Sequence, residues 1–174
     1  MRKIVMFGMI MLLLGGNGYG NAMNKDADVK NVKVIACLPF GGEMKYADYA
    51  TSSFWQELSE NGDVKIVDID KVREAVATLH VDINNITGAD VLKLCEFLKC
   101  DAVFKCSIKK VVVPFVIKEI NAKVELIRPN SEDVIFFTEQ SSGQLISMSF
   151  ESLATDAARN AAKKFKLYLK KLYH

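Results

Sequence analysis

The chain has little of what most enzymes and metal sites are built from: among its 174 residues only 2 are histidine, 3 are proline and 1 is tryptophan. His80 is the one internal imidazole, so a Ser-His-Asp arrangement has little to assemble from, and Thr51, Ser52 and Ser53 sit in no G-x-S-x-G elbow. The 4 cysteines, Cys37, Cys95, Cys100 and Cys106, are separated by 58, 5 and 6 positions and contain no C-x₂₋₄-C pair, which leaves no zinc pattern. Gly41-Gly42-Glu43 lacks both a phosphate-loop lysine and a G-x-G-x-x-G, so it reads as a plain turn. No metal and no cofactor is implied. Long apolar runs are missing too: Ile4 to Leu14 spans 11 residues, whereas a membrane-crossing helix takes about 20.

An excess of one charge is also absent. The net charge is +2, and setting aside Arg2 and Lys3 leaves as many cations as the 21 carboxylates. Broad electrostatic binding of nucleic acid is disfavoured. What is present is the make-up of one globular domain, with 50% apolar and 25% charged residues.

The start of the chain has the layout of a secretory signal peptide over residues 1–22: Arg2 and Lys3, the apolar run, then a Gly-rich stretch ending in small residues at Gly20 and Ala22. We expect cleavage near residues 20–22, a polar lead-in over 23–31 and a single domain over 32–174 in the periplasm, with no transmembrane span in the mature chain. Export makes disulfides chemically accessible. Cys37 and Cys106 both fall in apolar strand patterns and can be sheet neighbours, so a disulfide and two small buried thiols are both open readings. Cys95 and Cys100 close a predicted helix, where an intact turn holds the Cα atoms beyond the usual limit of about 7 Å. That pair requires the helix to end early.

Hydrophobic spacing predicts the elements. Val32 to Phe40 is β-branched and reads as a central strand, followed by a helix over 46–61 that presents Ala47, Ala50, Phe54 and Leu58 on one face. Val64 to Asp68 is a second strand, and the default for strand, helix, strand is a right-handed parallel crossover. Asp68 or Asp70 caps the next helix, and Thr87 with Asp90 forms a capping box for the one after it. Asp101 to Ile108 is a strand. Past Pro114, Ile120, Ala122, Val124 and Leu126 alternate with polar residues, and a Pro-Asn turn leads into Val134 to Phe137 as an antiparallel hairpin. The last helix, about 150–172, has Leu153, Ala157, Ala161, Phe165 and Tyr168 on one stripe, with lysines gathered toward its carboxyl end, where the helix dipole favours them. The fold class expected is α/β: one domain, a mixed sheet with packed helices, and a long C-terminal amphipathic helix.

The order of these segments, Val34-Ile35-Ala36-Cys37-Leu38-Pro39-Phe40, a helix, Val64-Lys65-Ile66-Val67-Asp68, a helix bearing Arg73, then Asp101-Ala102-Val103 with Ser107, resembles the TolB amino-terminal, curli-secretion (CsgG-like) and cell-wall synthase activator (LpoB-like) superfamily of bacterial envelope domains. Lys99-Cys100 stands where Gly-Ala is usual in that superfamily. The resemblance implies a non-enzymatic accessory that binds envelope proteins, periplasmic or outer-membrane, in assembly or secretion, with a homo-oligomer as one form of partner.

Two surfaces are candidates for such contacts. Tyr46, Tyr49 and Trp55 on the first helix offer the aromatic anchors that dominate interface energetics, or else pack at the sheet margin. Val111, Val112, Val113, Phe115 and Ile117 form an apolar run interrupted by Pro114, which reads as an edge or bulge and as a partner-joining segment, or else as a strand crossing the core. Competing readings are a small exported hydrolase using Asp68 and Asp70, and a self-assembling envelope structural protein.

Overall fold

The run that starts at Val32 forms β1 (Val34–Cys37), and Ile35 to Leu38 are all buried because helices cover both faces of the sheet here. This is seen in a computed structural model that describes residues 26–60, 62–113, 117–129, 133–144 and 149–173. The proposed signal segment and Phe115 lie outside the described residues. Within the expected polar lead-in there is a short helix, α1 (Asp26–Val29), because Val29 is fully buried and Asp28 pairs with Arg128 at 2.8 Å.

After β1 come β2 (Gly41–Gly42), α2 (Met44–Ser59), β3 (Lys65–Ile66), α3 (Ile69–Thr78), α4 (Gly88–Leu98), β4 (Ala102–Val113), β5 (Ile117–Ile127), β6 (Val134–Gln144) and α5 (Phe150–Tyr173). The sheet order is β3-β1-β4-β5-β6, with β2 beside β4. β1 runs parallel to β3 and β4, while β4, β5 and β6 form an antiparallel meander. The expected single α/β domain with a mixed sheet and a long C-terminal helix is the architecture observed.

Two cores share the sheet. On one face α2 and α5 bury Phe54, Leu58, Leu153, Phe165 and Leu169 against Phe104, Ile120, Val124 and Leu126. On the other, α3 and α4 bury Val72, Ala75, Val91 and Leu94 against Ala36, Leu38 and Val103. The two helices on the second face begin as their sequences demand. Asp68 accepts from the Asp70 amide at 2.9 Å, and Thr87 and Asp90 complete a capping box that holds the Asp90 carboxyl below its ordinary value, the Thr87 side chain being the largest cause.

Three expectations need correction. Gly41-Gly42 is a strand rather than a plain turn, paired in parallel with Ser107 and Ile108. The close approach requires glycine: Gly42 has φ +107°, and a Cβ there would collide with the Ile108 carbonyl oxygen. β4 does not end at Ile108 but continues through Lys109 and Lys110 to Val113, because its antiparallel partner β5 supplies hydrogen bonds that tolerate polar residues on a half-wet strand. β6 likewise runs to Gln144, through a polar stretch that has no apolar alternation to announce it.

Gly42→Ala is expected to cost about 2 kcal/mol or more. Urea midpoints check this, with Gly62→Ala as the control: a Cβ at Gly62 meets nothing within 4 Å, and its effect should stay within about 0.5 kcal/mol.

Candidate functional site

The helices do not cover the whole sheet. β1 pairs with β4 only from Ala102 to Phe104 and β2 only at Ser107 and Ile108, so β4 runs on from Lys109 to Val113 with β5 as its one strand neighbour among the described residues. A hairpin arm made of Lys109–Val113 and Ile117–Asn121, flanked by the end of β6, therefore extends beyond the parallel part of the sheet. Val112 is 54% exposed on it.

At the base of the arm the amino ends of α2 and α5 meet. Tyr46 is buried and its ring lies 5.6 Å from that of Phe150, while Lys110 Nζ stands over both rings, 4.4 Å from the Phe150 centroid and 5.7 Å from that of Tyr46. Lys45 reaches Glu151 at 3.2 Å. That contact raises the lysine above its ordinary value; its own helix-start amide first, and the lysine second, lower the Glu151 carboxyl. The arm is thus clamped at its root, while Val112, two residues further along β4, is exposed.

The side of the hairpin away from α2 and α5 is polar. Register places Lys105 beside Glu125, Lys123 between Ser107 and Glu139, and Asn121 between Lys109 and Ser141. Lys123 pairs with Glu125 at 2.9 Å and lies over the Phe137 ring. Asn121 Oδ1, in the middle of this lattice, is buried without a hydrogen-bond partner.

The predicted site residues separate into two groups. Val111, Val112 and Val113 lie together on the arm, with Ile117 paired to Val113 across the hairpin. Tyr49, 52% exposed, lies on a different surface, a shallow cleft of about 340 Å³ between α2 and α5 shared with Asp48, Ser52, Gln56, Thr155 and Arg159. Tyr46 and Trp55 face inward: Trp55 Nε1 donates to the Val67 carbonyl at 3.0 Å, which ties α2 to the strand edge. Sequence reasoning missed Lys110 and Phe150; the only signal was that Lys110, one of two lysines opening an apolar run, shares the strand parity of Ile108 and Val112.

Cys37 is in register with Phe104, which puts Cys106 two residues further along β4. With strands about 4.8 Å apart and a rise of about 3.3 Å per residue, their Cα atoms stand about 8 Å apart, beyond the disulfide limit of about 7 Å. Both are free, buried thiols, pushed well above their ordinary value by burial. The groups considered for hydrolysis have structural partners: Asp68 caps α3, Asp70 pairs with Arg73 at 3.5 Å, and Thr51 accepts from the Phe40 amide and donates to the Ala47 carbonyl. Among the described residues no group of His, Cys, Asp and Glu is placed to hold a metal, and no helix is long and apolar enough to cross a membrane.

No family model matches the sequence, and no curated protein matches it. Solved structures do. Lipoprotein GNA1162 from Neisseria meningitidis superposes with a TM-score of 0.55 at 14% identity, over 76% of this chain and 97% of that one. The likeness is one of fold. The hypothetical protein CT253 from Chlamydia trachomatis gives 0.53 at 11% identity, over 80% and 99%. The LpoB C-terminal domain from Escherichia coli gives 0.48 at 15%, over 64% and 83%.

Packing and exposure divide the aromatic candidates. Tyr46→Ala and Trp55→Ala should each lower unfolding stability by about 2 to 4 kcal/mol, whereas Tyr49→Ala should stay within about 0.5 kcal/mol; chemical denaturation of the three variants reads the difference.

Proposed function

We propose that the protein is a non-enzymatic, exported accessory of the bacterial envelope that binds a protein partner through the outer half of the β4–β5 hairpin. One observation carries the reading: β4 continues five residues past its last pairing with β2, and that extension exposes Val112 beside a strand edge with no partner among the described residues. An edge of this kind is a template for adding a strand, and an exposed apolar side chain beside it supplies the specificity pocket's counterpart. The Lys110, Tyr46 and Phe150 cluster holds the arm rigid at its root, which lowers the ordering cost of docking.

The envelope part of the reading rests on the signal layout of residues 1–22, on a motif order that resembles that of the TolB amino-terminal, curli-secretion and synthase-activator superfamily, and on a fold in common with a Neisseria lipoprotein. The non-enzymatic part is supported by the structural uses found for Asp68, Asp70, Thr51 and Ser53.

A photo-reactive residue at Val112, with Tyr49 as a second position on the separate α2/α5 cleft, tests the surface in intact cells. We expect a discrete heterologous adduct from position 112 and none from position 49. Adducts only to a second copy would replace the accessory with self-assembly, and no adduct at 112 in a folded, exported protein would reject the arm as the docking site.

A further inference from the structure

The other two cysteines stand in a different setting. α4 ends at Leu98, Lys99 turns into the left-handed region with φ +54°, and the Cys100 amide reaches back to the Cys95 carbonyl at 3.1 Å. This is the six-to-one bond of a Schellman cap, the motif in which the side chains three positions inside and two positions outside the helix end come into contact. The early ending that a Cys95–Cys100 pair requires is therefore present. The sulfurs stand 3.6 Å apart.

α3 ends by the same device. His80 takes φ +53° and the Val81 amide bonds the Val76 carbonyl at 3.0 Å, so the corresponding pair there is Val76 and Val81. Two valines fill the contact in one helix, and two thiols fill it in the next. The residue after the pair is fixed as well: the Asp101 carboxylate accepts from the Lys33 and Val34 amides, each at 2.8 Å, and the Asp101 amide donates to the Val34 carbonyl. Cys100 is thereby held between the helix end and the start of β1 and β4, with little freedom to leave Cys95.

We propose that Cys95 and Cys100 are a modification site, a dithiol that closes to an intrahelical-cap disulfide when the folded protein meets a disulfide-class oxidant. The Cys100 thiolate attacks one sulfur of the oxidant, and the other sulfur departs as a thiolate. The Cys95 thiolate then attacks the Cys100 sulfur of the mixed disulfide and expels the second thiolate. The two protons lost by the cysteines are taken up by the departing thiolates, and the two electrons lost by the pair reduce the oxidant.

The sulfur–sulfur hydrogen bond, with help from the Ala36 amide, holds Cys100 below its ordinary value, and the same contact pushes Cys95 above it. Cys95 and Cys100 are 5% and 7% exposed, so oxidation requires a local opening of the last turn of α4. Cys37 and Cys106, wholly inside the α2/α5 core, have no such access. Closure ties α4 to the entry of β4, the strand that carries the docking arm.

The test uses the purified folded chain equilibrated with a mixture of reduced and oxidised glutathione, followed by alkylation and peptide mapping. It is independent of where the protein works, so its failure leaves the envelope reading standing. We expect a peptide linked between Cys95 and Cys100 in most molecules, lighter by two hydrogens, with Cys37 and Cys106 alkylated only after unfolding. The oxidised form should melt about 5 °C higher than the reduced form, a rise absent in Cys95→Ser and in Cys100→Ser and kept in the Cys37→Ser, Cys106→Ser double variant. Cys95 and Cys100 both found as free thiols in the folded protein, or found as separate glutathione adducts, would overturn the proposal.

Discussion

One side chain sets the geometry of everything else. Phe104, fully buried in β4, meets Phe54 of α2 edge-on at 5.3 Å and Phe165 of α5 edge-on at 4.9 Å. From Phe54 the contacts continue to Phe40, just after β1, and from Phe165 to Phe136 of β6 and on to Tyr168. Six rings thus join two helices and two strands through one residue. Edge-to-face contacts hold ring orientations as well as distances, so this chain determines where α2 and α5 lie on the sheet. The two helices run side by side in one direction, with Lys45 opposite Glu151 and Glu57 opposite Lys166.

The aromatic chain also explains why part of the sheet stays open. Helices gathered around Phe104 and Phe165 cover β4 as far as Ile108, and Tyr46 and Phe150, in their first turns, meet just beyond it. β4 and β5 are longer than the layer above them, and their surplus becomes the arm. On the opposite face α3 and α4 pack against β1 and the inner end of the β4–β5 pair, at Val103 and Ile127, and the polar rows of β5 and β6 lie beyond that core. Both the proposed docking surface and the polar face follow from a mismatch between strand length and helix coverage. The arm shares its strand with the core, so its root position is fixed by the same packing that stabilises the fold.

Much of the fold was legible in the residues. The β-branched run at Val34, the stripe from Leu153 to Phe165 and the Thr87/Asp90 box all carry local periodicity or a local hydrogen bond, and each appears where its pattern lies. The extensions of β4 and β6 were not legible, because Lys109, Lys110 and the polar run from Glu139 to Gln144 are strand only through their partners in the antiparallel ladder. Tyr46 and Trp55 illustrate the same limit for the site: α2 carries Tyr46, Tyr49 and Trp55, and only the tertiary contacts with Phe150 and Val67 separate packing residues from the exposed Tyr49. The cysteine pair needed the reverse turn at Lys99, a residue without glycine's freedom, which no local preference announces.

The central claim is that β4 is one strand with two roles, an inner segment buried by the Phe104 packing and an outer segment free to take a partner. Amide hydrogen exchange resolved along β4 tests it most directly. The account predicts that Ala102 to Ile108 exchange only through global unfolding, that Lys109 to Val113 exchange at least a hundredfold faster (~3 kcal/mol less protection), and that an envelope fraction protects the second segment alone. Equal protection from Ala102 to Val113 in the isolated protein would contradict it.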